Sequence, residues 1–169
     1  TMIYVTHDQV EAMTVGQRIA VMHEGKMEML DTPSKVYSRP ATVFCAKFIG
    51  SPSMNIVEAN YNDGVLSIGN QSEKNDSGRL YVGIRPEHVL FQREPEEYTI
   101  SGTVKYIEDL GNRYSIYIEV PGTRNEMIAV RDSEIPHPGE HVYIKAAFDK
   151  IHLFDRENEQ SLGYPEEIV

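Results

Sequence analysis

The sequence predicts a mainly β protein: an all-β barrel or sandwich preceded by a small mixed α/β segment. Beyond residue 55 the spacing of apolar residues changes from helical to alternate. Short apolar runs recur there between Gly, Pro, Asn and Asp, the residues that turn a chain. Charge changes at the same place. Residues 1–50 hold five acids and five bases, so the other 21 acids and 11 bases carry the whole net charge of −10. The Gly-Ser-Pro-Ser run at 50–53 is therefore the expected domain boundary.

The run TMIYVTHD reads as an apolar strand that delivers His7 at its C-terminal end, where an open parallel sheet presents groups to a ligand crevice. A buried parallel strand needs neighbours, and none precedes it, so the chain is expected to be the tail of a larger nucleotide-handling protein. Asp8 with Glu11 three residues on predicts a helix start resembling a capping box. Val10, Met13 and Ala12 should face the core, and Gly16 should end the helix in a left-handed conformation. Residues 19–22 and 26–30 flank His23-Glu24-Gly25 as a hairpin. Thr32-Pro33 is an N-cap followed by proline, which predicts a helix over 34–38. Pro40 is expected to open another, with Val43, Phe44, Ala46 and Phe48 as its apolar face and Gly50 as its stop.

In the second part, residues 56–61 and 65–68 surround Asn62-Asp63-Gly64, a hairpin signal. Residues 70–79 are polar throughout and read as an exposed loop. A strand over 80–85 stops at Pro86. Strands over 99–107 and 113–120 flank Gly111-Asn112. In the latter Tyr114, Ile116, Ile118 and Val120 alternate with Ser115, Tyr117 and Glu119. Residues 126–131, 141–146 and 151–154 complete the set, and the polar tail from Glu157 should fray.

No window approaches eighteen consecutive apolar residues, which excludes a membrane-spanning helix in this sequence. Its beginning has no basic region followed by an apolar one, so no secretory signal is expected within this sequence. The single cysteine, Cys45, sits among apolar neighbours and reads as a packed thiol; it fits a reducing cytoplasm. The acidic second part lacks the basic stripe that phosphate backbones require, and few bases are interleaved with the ten tyrosines, so nucleic acid is not an expected partner.

Arg85, Glu87 and His88 follow an apolar strand and are candidates for a regulatory or interface site, since together they could bind an oxyanion or a protein carboxylate. The plainer reading, which the residues favour, has Arg85 and Glu87 tying a loop to the barrel end. His137 and His141 are four apart, but Pro136, Pro138 and Gly139 forbid a helix, so a turn rather than a metal pair is expected. Glu94, Glu96 and Glu97 read as a solvated loop, with a divalent-ion site there as the weaker alternative. No metal site is expected.

Five segments in order carry a resemblance: YVTHDQVEAMT (4–14), TPSKVYSRP (32–40), FIGSPSMN (48–55), GIRPEH (83–88) and HLFD (152–155). Together they resemble the end of an ABC-transporter ATPase of the importer subfamily that handles maltose, multiple sugars and glycerol-3-phosphate. The resemblance implies that residues 1–50 are the C-terminal remnant of a nucleotide-binding domain. It implies that residues 51–169 are an OB-like β-barrel regulatory domain of the transport-associated (TOBE) type. His7 would be the switch histidine, which in the intact parent is catalytic and reaches the γ-phosphate of ATP and the attacking water; in this chain it is expected to be exposed and idle.

The resemblance also implies ATP and Mg in the intact parent, a homodimer, membrane-spanning permease subunits and, in some members, a docked regulatory protein. The location would be cytoplasmic, peripheral to the inner face of the membrane. The sequence has no G-x-x-x-x-G-K-[ST] phosphate loop, no LSGGQ-type signature and no apolar strand ending in Asp-Glu, so by itself it is expected to bind no cofactor and to hydrolyse nothing. The alternative is a module of the same fold that binds a small oxyanion or docks a protein.

Overall fold

In the computed structural model, residues 2–62, 65–68, 79–96 and 99–167 are described. The expected first strand is absent: residues 2–6 run without a ladder, and Met2, Ile3 and Val5 are 85–88% exposed. An apolar strand forms only when a neighbour takes its backbone hydrogen bonds, and none of the described residues pairs with it. Helix α1 (Gln9–Val15) follows, capped by Asp8, whose carboxylate accepts from the N–H groups of Val10 and Glu11. The return half of the capping box is missing, because Glu11 instead accepts from the Thr6 hydroxyl at 2.7 Å. Gly16 is extended (φ −90°) rather than left-handed, and Val10 is exposed while Ala12 and Met13 pack inward.

Strands β1 (Ile19–His23) and β2 (Lys26–Asp31) form the expected hairpin. Its two turn residues, Glu24 and Gly25, both have positive φ, as a tight turn matched to strand twist demands. Helix α2 (Pro33–Ser38) is capped by the Thr32 hydroxyl. Helix α3 (Val43–Phe48) starts later than Pro40 predicts, because Thr42 supplies the cap to Cys45 N–H. Cys45 is fully buried, and burial pushes its thiol up, as a structural role expects.

The β part contains β3 (Asn55–Asn62), β4 (Val65–Ile68), β5 (Arg79–Ile84), β6 (Leu90–Gln92), β7 (Ile100–Asp109), β8 (Tyr114–Glu119), β9 (Met127–Arg131), β10 (His141–Lys145), β11 (Ile151–Asp155) and β12 (Ser161–Gly163). They form two antiparallel sheets, β6-β10-β7-β8-β9 and β12-β11-β5-β3-β4. The sheets curl around one core as a half-barrel, with Val82 and Leu153 from one in the same cluster as Ile116, Ile118 and Ile144 from the other. Residues 70–78, read as a loop, lie outside the described residues.

Three corrections arise here. Ser115, expected on the open face of β8, is buried, so both faces of that strand are covered at this point. The tail does not fray: β12 pairs with β11, Val43 N–H bonds to Glu159 O, and Ser161 N–H bonds to Ala41 O. Strands β6 and β12, three residues each, are too short to show a period in sequence. The expected turn between His137 and His141 is present, with Gly139 at φ +85°.

Candidate functional site at the Arg85 junction

The packed region between the first fifty residues and the β part is built on Arg85. Strand β5 ends at Ile84, and Pro86 opens a 3₁₀ turn (Pro86–His88) that carries the chain away. This leaves the Arg85 side chain on the outer face of the sheet, under α2 and α3, with 1% of its surface exposed. Its Nη1 donates to Ala46 O at 3.0 Å and to Ile49 O, and its Nη2 donates to Tyr37 O at 2.8 Å. Those are carbonyls that the ends of α2 and α3 leave without an intrahelical partner. The guanidinium also lies 4.1 Å from the centre of the Tyr37 ring. Burial lowers its pKa from the ordinary guanidinium value, while Tyr37 and Glu87 act to raise it.

Glu87 accepts a hydrogen bond from the Tyr37 hydroxyl. Burial first, then Glu87, pushes that phenol up to about 12, so it remains a donor throughout the physiological range. His88 is half-buried, and its Nδ1 has no hydrogen-bond partner; the same is true of Arg85 Nε. The structure thus brings Arg85 and Glu87 together through Tyr37, and it buries Arg85 inside the molecule. His7 lies apart from them, exposed, one residue before the cap of α1.

The next layer holds His152 on β11, directly opposite Gly83 and 6% exposed. Its ring stacks near Phe154 and lies 4.9 Å from that of Tyr164, whose hydroxyl donates to Ser38 O at 2.6 Å. Burial, reinforced by Arg85, His88, Arg39 and Lys150, drives its pKa down to about 4. The arrangement places buried donors and a neutral imidazole between the first fifty residues and the β part. Among the described residues, no group of three or more His, Cys, Asp or Glu could hold a metal ion. Glu96 is bonded to Lys145 rather than gathered with its acidic neighbours, and Glu97 lies outside the described residues.

Sequence reading singled out Arg85, Glu87 and His88 but missed Tyr37, Gln9 and Tyr164. Gln9 accepts from Gly50 N–H at 2.8 Å across 41 residues, a separation that no local period reveals. One signal was available: a glycine directly before Ser51-Pro52, because Gly50 has φ +115° and a Cβ there would sit 2.8 Å from Arg85 Nη1.

Residues 82–154 match the TOBE domain family. The chain is 36% identical to the sn-glycerol-3-phosphate import ATP-binding protein UgpC of Vibrio vulnificus, over 95% of this chain and 45% of that protein. It is 38% identical to the protein of the same name from Ruegeria pomeroyi, over 93% and 45% respectively. The chain therefore spans about half the length of the curated relatives it matches. A solved structure of the cytoplasmic molybdate-binding protein ModG is similar at a TM-score of 0.46 and 15% identity, covering 59% of this chain and 94% of that one. No helix among the described residues is long and apolar enough to cross a membrane.

Proposed function

From a chain that carries a TOBE domain and matches import ATP-binding proteins along nearly all its length, we propose the C-terminal, regulatory part of an ABC-importer ATP-binding subunit. Residues 1–50 then complete a nucleotide-binding domain and residues 51–169 form the regulatory domain. The observation that carries the reading is Arg85, a residue of the β part whose buried side chain closes the ends of two helices in the first fifty residues. The two parts are joined by a fixed contact, as a regulatory domain needs if it is to act on catalysis.

In the intact subunit His7 is the residue of this chain that meets nucleotide. It fits that role because its imidazole is exposed, while the adjacent Asp8 carboxylate is spent on the cap of α1. Mg·ATP supplies the phosphoanhydride bond that is cleaved. His7 would hold a proton toward the phosphate or the attacking water. The exposed run Met2, Ile3, Tyr4 and Val5 suits a strand covered by sheet neighbours in that subunit. A dimer of such subunits, seated on membrane permease subunits at the cytoplasmic face, would couple hydrolysis to import of a sugar or related solute.

The test is His7→Ala in the ATP-hydrolysing subunit that carries this sequence. Hydrolysis should fall by roughly 10²-fold or more while nucleotide binding persists. Hydrolysis at the wild-type rate would overturn the assignment.

A further inference from the structure

The Ile49–Gly50 peptide is held from both ends by different parts of the molecule. Its carbonyl accepts from Arg85 Nη1, and its N–H donates to Gln9 Oε1 at 2.8 Å. A peptide is planar, so a group that fixes the oxygen also fixes the direction of the N–H on the opposite side. Polarising the carbonyl strengthens the N–H as a donor. Gln9 is the first residue of α1, two positions beyond His7. The side chain of Arg85, on the β part, is therefore connected through one rigid plane to the turn that presents His7. The glycine is required at this point, since any side chain at φ +115° would be strained and would meet Arg85 Nη1.

We propose that Arg85 and Gln9 are positioning residues for His7, acting through the Ile49–Gly50 peptide. This rests on the reading of His7 given above. The β part sets the angle at which α1 leaves the junction, and the α1 cap sets where the imidazole stands. Tyr37 completes the support, because Arg85 lies over its ring while Glu87 holds its hydroxyl. A displacement of the junction by a regulator would reach His7 by this route without touching nucleotide.

The experiment compares Gln9→Ala, Arg85→Lys and the double variant in the ATP-hydrolysing subunit. Gln9→Ala removes none of the hydrogen bonds of the buried guanidinium. The expected result is a kcat lowered roughly 10- to 100-fold with KM for ATP unchanged within about twofold. The double variant should lose no more than the worse single one, since both act on one peptide plane. A wild-type kcat in Gln9→Ala, or losses that multiply, would overturn the inference.

Amide hydrogen exchange on the present chain separates this from the reading of His7. Arg85→Lys should accelerate exchange at Gly50 and along the first turn of α1. If His7→Ala leaves hydrolysis intact but this exchange response is seen, the functional assignment fails and the relay stands. If exchange at Gly50 is unchanged, the relay itself is refuted.

Discussion

Acid should weaken this protein in part through His152. His152 is 6% exposed and is held neutral, with a pKa of about 4 against 6.5 in an unfolded chain, by burial first and then by Arg85, His88, Arg39 and Lys150. The folded value is the lower one, so the unfolded chain takes up the proton first as pH falls. Stability from this site is fully present above pH 6.5 and is lost progressively down to pH 4. The full loss is roughly 3 kcal/mol, of which about 2 kcal/mol has gone by pH 5. Urea unfolding of the wild type and of His152→Leu at pH 7.5 and pH 5 isolates the effect, because all other titrating groups are common to both. The wild type should lose about 2 kcal/mol more than the variant across that interval. Parallel losses in the two proteins would refute the reasoning.

Other substitutions test the packing directly. Gly83→Ala places a methyl 2.6 Å from Met54 Sδ and 2.9 Å from Phe154 Cε2, so thermal unfolding should report a loss of about 1–3 kcal/mol. An unchanged midpoint would mean the outer face of β5 is looser than described. Asn55 spans both sheets, donating to Ile84 O and Ile128 O and accepting from Ile128 N–H. Asn55→Ala should therefore cost about 1–3 kcal/mol in urea unfolding by leaving those groups unpaired. Lys105→Ala breaks the surface pair with Glu126 and should leave the unfolding midpoint where it is.

The hairpins and most β strands were legible because their signals are local. Glu24-Gly25 carries its own turn geometry, and Asn62 pairs with Val65 across a two-residue connection. The start of α3 was misplaced because Pro40 and Thr42 compete as start signals, and the hydroxyl that reaches Cys45 N–H decides between them. The apolar run before His7 has strand composition, but a strand is a property of a pair. The junction was half legible. GIRPEH marked Arg85 and Glu87; in the structure Arg85 bonds to the ends of α2 and α3, and Glu87 accepts from Tyr37. What they tie to was invisible, since Tyr37 and Gln9 meet the junction across 41 to 50 residues.

The C-terminal tail shows how such distant partners are enforced, and it yields a last test. Strand β12 lies on β11, the strand that carries His152. The backbone around it is laced to the segment before α3 through Glu159 O and Ser161 N–H. Tyr164 then reaches across to Ser38 O and lays its ring beside His152, with the Arg39 guanidinium 5.0 Å from the centre of the Tyr164 ring. Tyr164 packs against the buried imidazole, so the acid response should belong to the docked tail as well as to His152. In Tyr164→Ala, water should reach the ring and its pKa should climb from about 4 toward 6.5 in an NMR titration of its Cε1 proton. The variant should also lose part of the extra acid sensitivity seen by urea unfolding. A His152 that still titrates near 4 would show that β5 and the neighbouring cations alone keep it neutral, and that the tail does not seal the joint.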